Sequence, residues 1–180
     1  MDYAELQVLS NFSFLEGASH ADELVLQAKL LGLAAIGIAD RNSLAGIVRA
    51  HKAARAHGMR LLVGARLDLQ DGTSLIAYPE DRDAYGRLSQ LITLGRRRAE
   101  KGTCLLHLAD VLDWGEGMRL ILLPPARPDR AVETQLARLV TQFPGRVYVA
   151  ASHLLRGDDL QHVARMAALA RRHGIRLLAT

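Results

Sequence analysis

The chain has 180 residues, of which 49% are apolar and 23% are charged, so it is long enough to bury a sizeable core within one domain. No apolar run approaches the ~18 residues of a membrane-spanning helix, so we expect a soluble, cytoplasmic chain with no membrane partner. The net charge of +4 is too small to mark a DNA-binding protein by itself. Cys104 is the only cysteine, which excludes an internal disulfide and a cysteine-based metal cluster.

Short apolar segments alternate with amphipathic ones along the whole chain. Continuous apolar runs predict buried strands, and apolar residues repeated every three or four positions predict helices. In chain order the pattern predicts strand 6–9, helix 19–31, strand 33–39, helix 43–57, strands 61–69 and 75–78, helix 79–94, helix 106–112, strand 119–123, helix 130–143, strand 146–150, a helix from residue 158 to about 172, and strand 175–179.

This alternation predicts an α/β fold in a single domain over residues 1–180. Strands separated by helices favour parallel pairing through right-handed crossovers. Asp71 and Gly72 predict a tight turn between the third and fourth strands. The number of strand–helix units favours a closed barrel over an open sheet, but the pattern alone does not separate the two.

Two motifs follow the first two predicted strands. The first is SNFSFLEGAS at residues 10–19, and the second is IGIADRNSLAG at residues 36–46, in which the strand ends on Asp40. Two longer segments accompany them, DRDAYGRLSQLITLGRRRA at residues 81–99 and FPGRVYVAASHLLRGDD at residues 143–159.

These segments together resemble the PHP domain (polymerase and histidinol phosphatase) at the N-terminus of bacterial C-family DNA polymerases. They are most similar to the error-prone branch of the DNA polymerase III alpha subunits. The resemblance spans essentially the whole chain and implies a distorted (β/α)7 barrel of the PHP type, with its site at the C-terminal ends of the strands. Because Thr180 directly follows a predicted strand, we expect the chain to stop before the family's last elements, including an Asp-x-His ligand pair.

The same resemblance implies that the parent protein is a DNA-directed DNA polymerase, a nucleotidyltransferase that uses Mg²⁺ in damage-induced translesion and repair synthesis. It implies DNA and the rest of the polymerase chain in cis as partners, with the sliding clamp and accessory translesion proteins as further ones. The catalytic carboxylates of such a polymerase would lie outside these residues. We therefore expect this segment to be a scaffold with no cofactor and no activity of its own.

Most metal-ligand positions implied by the resemblance are altered in this chain. The His-x-His pair of the first strand falls on Gln7 and Leu9, and the Asp-His pair that ends the second strand falls on Asp40 and Arg41. Arg66 stands where a glutamate ligand follows the third strand. Only Asp40 keeps a metal-binding side chain, so these are vestigial positions and we expect neither a catalytic residue nor a bound metal.

His153 is the one other weak metal candidate, because it lies just beyond a predicted strand end, where barrel sites are built. A single histidine and Asp40 do not make a catalytic centre. The alternative function is a metal-dependent phosphoesterase or 3′–5′ exonuclease, which stoichiometric metal in the purified protein would indicate.

The arginines leave two interpretations open. Arg41 and Arg66 cannot ligate a divalent cation, and the favoured interpretation is that they pair with Asp40 in an internal ion network. Alternatively they contact phosphate or DNA, together with the cluster Arg96, Arg97 and Arg98.

Phe12 and Phe14 also have two interpretations. They could stack on bases, but their place in an apolar run favours packing in the core.

Overall fold

The computed structural model describes residues 3–155 and 157–180. Arg156, inside the fourth resemblance segment, lies outside the described residues. The chain divides into two compact units, Met1–Leu67 and Asp68–Thr180. The expectation of one PHP-like domain over residues 1–180 stays a prediction.

Unit 1 is a parallel α/β unit. Its elements are β1 (Ala4–Val8), α1 (Ala21–Leu30), β2 (Ala35–Arg41), α2 (Ile47–His57) and β3 (Leu61–Asp68), which ends at the unit boundary. β2 pairs in parallel with both β1 and β3, as predicted. The first six residues of β2 are buried, which is why its sequence is almost continuously apolar.

The parallel pairing in unit 1 determines where its functional positions meet. Asp40 is in register with Ala65, and Arg41 is in register with Arg66. Since the carboxyl ends of parallel strands share one edge of a sheet, the last residues of β2 and β3 lie side by side. Ile38, between this edge and the start of β2, belongs to the buried core that β2 shares with α1 and α2.

Unit 2 contains the other elements: β4 (Ser74–Pro79), α3 (Arg82–Arg97), α4 (Leu108–Trp114), β5 (Met118–Leu123), α5 (Arg130–Gln142), β6 (Val147–Ala151), α6 (Asp159–Arg172) and β7 (Arg176–Ala179). β6 pairs in parallel with β5 and β7. β4 and β5 are antiparallel although helices separate them, so the expectation of parallel pairing is wrong for these two strands. Pro79 at the end of β4 pairs with Met118 at the start of β5, because two helices connect these strands and return the chain to the same end.

Several predicted helices begin later than expected, α1 at residue 21 instead of 19 and α2 at residue 47 instead of 43. For α3 and α4 the reason is that polar residues cap them. Asp81 accepts a hydrogen bond from the Ala84 N–H at 2.7 Å, so α3 starts at residue 82 instead of 79. Asp110 accepts one from the His107 N–H at 2.9 Å, and α4 starts at residue 108 instead of 106. None of the described helices is long and apolar enough to cross a membrane.

The predicted turn at residues 71–72 is confirmed. Leu69 donates its N–H to the Thr73 carbonyl at 2.8 Å, and Asp71 accepts from the Thr73 N–H at 2.9 Å. Gly72 has a φ of +85°, a conformation that glycine adopts without strain.

Candidate functional site

Asp40, at the end of β2, is a buried carboxylate with three hydrogen-bond donors. The whole residue is only 1% exposed to solvent. Oδ1 accepts from the Ser10 N–H and the Ser13 hydroxyl, each at 2.7 Å, and Oδ2 accepts from the Ser10 hydroxyl at 2.7 Å. These donors satisfy both oxygens, so the charge is stabilised by neutral groups instead of by a cation.

Ser10 and Ser13 belong to the segment of residues 10–19, here called the serine loop. Ser13 connects the loop to β2 a second time, because its hydroxyl also accepts from the Arg41 N–H at 3.0 Å. Inside the loop, Ser13 donates its N–H to the Ser10 carbonyl at 2.9 Å. The loop is therefore fixed on the ends of β1 and β2 by hydrogen bonds to buried groups.

Two glycines of the resemblance motifs permit this close packing. A Cβ on Gly17 would lie 2.1 Å from the Ser10 carbonyl oxygen. A Cβ on Gly46 would lie 2.8 Å from Asp40 Oδ2 and 2.9 Å from Ser10 Oγ. Any larger residue would collide with the network, so both motifs encode a structural contact around Asp40.

The predicted ion network between the arginines and Asp40 is wrong. The Arg41 guanidinium instead pairs with Glu16 of the serine loop, and Arg66 Nη1 lies 3.9 Å from the other Glu16 oxygen. The reason is solvation, since the side chains of Arg41 and Glu16 stay 42% and 34% exposed, whereas a guanidinium beside Asp40 would lose its water. Such a half-exposed pair contributes only about 0–1 kcal/mol.

The metal site that the family implies does not fit these residues. Gln7 lies half-buried in β1, and Leu9 follows that strand with an apolar side chain. Both Asp40 oxygens are taken by serine donors, and Arg41 and Arg66 add positive charge at the same edge. Within each unit, the described residues contain no group of three or more His, Cys, Asp or Glu side chains that could hold a metal ion.

His153 is the remaining metal candidate from the sequence. It is an exposed residue of unit 2, two positions beyond the end of β6, while Asp40 belongs to unit 1. The structure therefore brings together Asp40, Arg41 and Arg66 among the predicted positions of unit 1, and it leaves the role of His153 untested.

The prediction that the two phenylalanines pack in the core is wrong. Phe12 is 44% exposed and Phe14 is 83% exposed. The buried positions of the serine loop are taken by Ser10 and Ser13, because the carboxylate beneath them needs donors that a phenyl ring cannot supply. The loop therefore presents apolar side chains outward, including Leu15 at 89% exposure.

The predicted cluster at the end of α3 is divided by its contacts. Arg96 and Arg97 form the last turn of the helix, and Arg98 follows as its C-cap. Arg98 Nη1 donates to both oxygens of Asp110, at 2.8 and 2.7 Å. Burial would by itself raise the pKa of Asp110, but the His107 N–H and the Arg98 guanidinium together hold that pKa below its usual value.

Sequence reasoning missed Ser10, Ser13, Glu16 and Asp110 as partners. The spacing of His107 and Asp110 matches a capping box and could have located Asp110. The serines stand beside the predicted strand end, but residue spacing carries no signal that they meet a carboxylate 27 or 30 residues away.

Two solved structures share this fold. A protein from Bifidobacterium adolescentis, assigned as a metal-dependent phosphoesterase, matches with a TM-score of 0.75 and 17% identity, covering 99% of this chain and 86% of its own. An amidohydrolase from Chromobacterium violaceum, solved with sulfate and no metal, gives a TM-score of 0.65 and 18% identity over 97% of this chain and 84% of its own. At these identities the likeness shows the fold alone, and the predicted α/β class of the PHP type is confirmed.

The model of the PHP domain family matches residues 5–123, and this chain belongs to that family. Three relatives show which branch of the family this chain resembles. The error-prone DNA polymerase of Caulobacter vibrioides is 51% identical over 99% of this chain, error-prone DNA polymerase 2 of Agrobacterium fabrum is 49% identical over 100%, and the Rhodopseudomonas palustris error-prone DNA polymerase is 47% identical over 93%. The chain spans 16% of the length of each relative, and its predicted resemblance to the error-prone branch is confirmed.

Proposed function

We propose that this chain is the N-terminal PHP domain of an error-prone DNA-directed DNA polymerase and serves as a non-catalytic scaffold for the polymerase core. The observation that supports it most directly is the state of Asp40, whose two oxygens accept hydrogen bonds from Ser10 and Ser13. Asp40, the one position of the vestigial metal site that keeps a metal-binding side chain, therefore anchors the serine loop. In the parent protein, other residues would bind DNA and Mg²⁺ and extend primers in the cytoplasm during repair synthesis.

The outward face of the serine loop supports a packing role. Phe14 and Leu15 are 83% and 89% exposed on a loop whose base is fixed by buried hydrogen bonds. Burial of such a side chain against another part of the polymerase would stabilise the assembly by about 1.5–3 kcal/mol. Adjacent exposed apolar side chains on a rigid support are typical of an interaction surface.

The absence of a catalytic metal centre is tested with the purified chain. We expect much less than one equivalent of manganese, zinc or iron by elemental analysis after incubation with each metal. We also expect no hydrolysis of 3′-labelled DNA in Mn²⁺ beyond that of Asp40→Ala. One equivalent of metal, with hydrolysis that Asp40→Ala abolishes, would instead establish the phosphoesterase or exonuclease function.

The scaffold role is tested in the full-length polymerase that carries this region. Asp40→Ala should lower the melting temperature and the yield of folded protein, because it removes the anchor of the serine loop. Primer extension per folded molecule should remain within about twofold, while the exposed control Asp22→Ala should change neither property. A large loss of turnover at unchanged stability would contradict a purely structural role for Asp40.

A further inference from the structure

A groove between α3 and α4 in unit 2 is a feature that the scaffold role leaves unexplained. Its volume is about 590 Å³, within the range of roughly 300–1,000 Å³ that is usual for small-ligand sites. Gln90, Thr93 and Arg97 contribute from α3, Arg98 from its C-cap, and Trp114 from the end of α4. We call it the α3/α4 groove.

The two arginines of the groove, Arg97 and Arg98, differ in whether a carboxylate pairs with them. Arg98 is held by both oxygens of Asp110, so its charge is neutralised locally. The Arg97 guanidinium makes no hydrogen bond and no ion pair with any residue in the ranges 3–155 and 157–180. Its exposed guanidinium therefore remains available to an anionic ligand at the rim of the groove.

Trp114 supplies a second kind of contact in the same groove. It is half-buried, and its indole N–H has no partner among the residues that the structure describes. An indole face is a stacking surface for a planar ring, and stacking on an aromatic side chain contributes about 1–3 kcal/mol per base. The Gln90 side chain, which lines the same groove, offers an amide donor and acceptor for the edge of such a ring.

The local charge favours a phosphate. With Arg98 balanced by Asp110, residues 96–101 still contain Arg96, Arg97 and Lys101 against Glu100 as the single acidic residue. A base paired inside a duplex has its faces covered by its neighbours, so only an unstacked base could reach the indole. We propose that the α3/α4 groove binds single-stranded nucleic acid, with one base stacked on Trp114 and an adjacent phosphate paired to Arg97.

This proposal goes beyond the scaffold role. It also reduces the set of arginines that were expected to contact phosphate or DNA. Arg41 and Arg66 pair with Glu16, and Arg98 pairs with Asp110, so those three arginines have structural partners. Arg97 and Arg98 both line the groove with Trp114, and Arg97 is the one of the two without a carboxylate partner among the described residues. An acidic peptide without aromatic residues would pair with the guanidinium but has no ring to stack on the indole.

The test uses the intrinsic fluorescence of the whole chain, because Trp114 is its only tryptophan. A short oligothymidylate should quench Trp114 emission in a saturable way, and the affinity should fall as salt is raised. Oligodeoxyuridylate and oligouridylate, which differ only in the sugar, show in parallel titrations which sugar the groove prefers, and saturable quenching by any of these strands supports the proposal.

Variants test whether binding depends on the two proposed contacts, the base stacked on Trp114 and the phosphate paired to Arg97. Arg97→Ala should weaken binding about tenfold, and Arg97→Lys should recover part of the loss because it keeps the charge. Trp114→Ala, measured by fluorescence anisotropy of a labelled strand, should also weaken binding about tenfold. Arg55→Ala, at an exposed arginine of α2, is the matched control and should leave the affinity unchanged.

Three results would overturn the proposal. One is the absence of saturable quenching at low salt. Another is duplex DNA or a polyglutamate peptide quenching as strongly as the single strand. The third is an Arg97→Ala protein, shown to be folded by circular dichroism, that binds like the parent chain. None of these results affects the metal and primer-extension tests of the scaffold role, so the two ideas can fail separately.

Discussion

Ser10 binds both carboxylate oxygens of Asp40, with its N–H 2.7 Å from Oδ1 and its hydroxyl 2.7 Å from Oδ2. One residue thereby closes a contact across 30 positions of sequence and joins the end of β1 to the end of β2. A charged group can remain in this buried place because its hydrogen-bonding capacity is met. Several properties of unit 1 should depend on this contact.

Removing the carboxylate should destabilise unit 1 strongly. Asp40→Ala leaves the Ser10 N–H and the Ser10 and Ser13 hydroxyls without their acceptor, and we expect a loss of about 3 kcal/mol in the free energy of unfolding. Asp40→Asn keeps one carbonyl oxygen and should lose less. Urea denaturation followed by circular dichroism measures both. Equal losses for the two variants, or losses below about 1 kcal/mol, would contradict the anchor role.

Gly46 should tolerate no side chain. In Gly46→Ala the new Cβ would meet Asp40 Oδ2 at 2.8 Å, so we expect destabilisation by about 2 kcal/mol. Gly86→Ala is the control, since a Cβ at this position of α3 meets nothing within 4 Å. Helix propensity should make that variant more stable by about 0.8 kcal/mol. The melting temperatures of the two variants are compared by thermal unfolding. An unchanged melting temperature for Gly46→Ala would show that the hydrogen bonds around Asp40 adjust to the added methyl group.

The exposed position of Phe14 gives a direct check on the corrected interpretation of the serine loop. Phe14→Ser should change the free energy of unfolding by less than about 0.5 kcal/mol, because the ring is already 83% exposed. Leu67→Ala, at a residue of β3 with 0% exposure, should cost about 3 kcal/mol. A loss of similar size for Phe14→Ser would restore the prediction of core packing.

Asp110 should make unit 2 sensitive to acid. Burial opposes ionisation, but the His107 N–H and Arg98 together lower its pKa in the folded state below the ordinary value of 3.8. The carboxylate therefore contributes stability above the unfolded pKa, and this contribution is lost as the pH falls through the lower folded pKa. Asp110→Asn should lower the urea midpoint at neutral pH and flatten its decline below about pH 4.

Trp114 fluorescence measures that acid dependence within unit 2. Asp113→Asn is the matched control, because Asp113 is an exposed neighbour on the same helix. If Asp110→Asn keeps the full acid-side slope of the parent chain, the stabilisation of the ionised carboxylate is absent.

Local patterns predicted the elements well and their pairing less well. The buried run of β2 and the turn at Asp71 and Gly72 are encoded by neighbouring residues, so the sequence located both. The helices capped by Asp81 and His107 begin later than the apolar pattern predicts, because capping hydrogen bonds outweigh that pattern at helix ends. The antiparallel pairing of β4 with β5 depends on how two helices return the chain, which residue periodicity does not record.

The amino-acid sequence by itself determined the family, the alternation of strands and helices, and the replacement of ligand positions by Gln7, Leu9, Arg41 and Arg66. Tertiary structure alone decided what Asp40 does, because its partners Ser10 and Ser13 become neighbours only when β1 and β2 pair. It also decided which arginines keep available charge, since a guanidinium is neutralised by whichever carboxylate the fold brings within reach. Residue types follow from the chain, but the partner of a buried charge depends on distances that only packing sets.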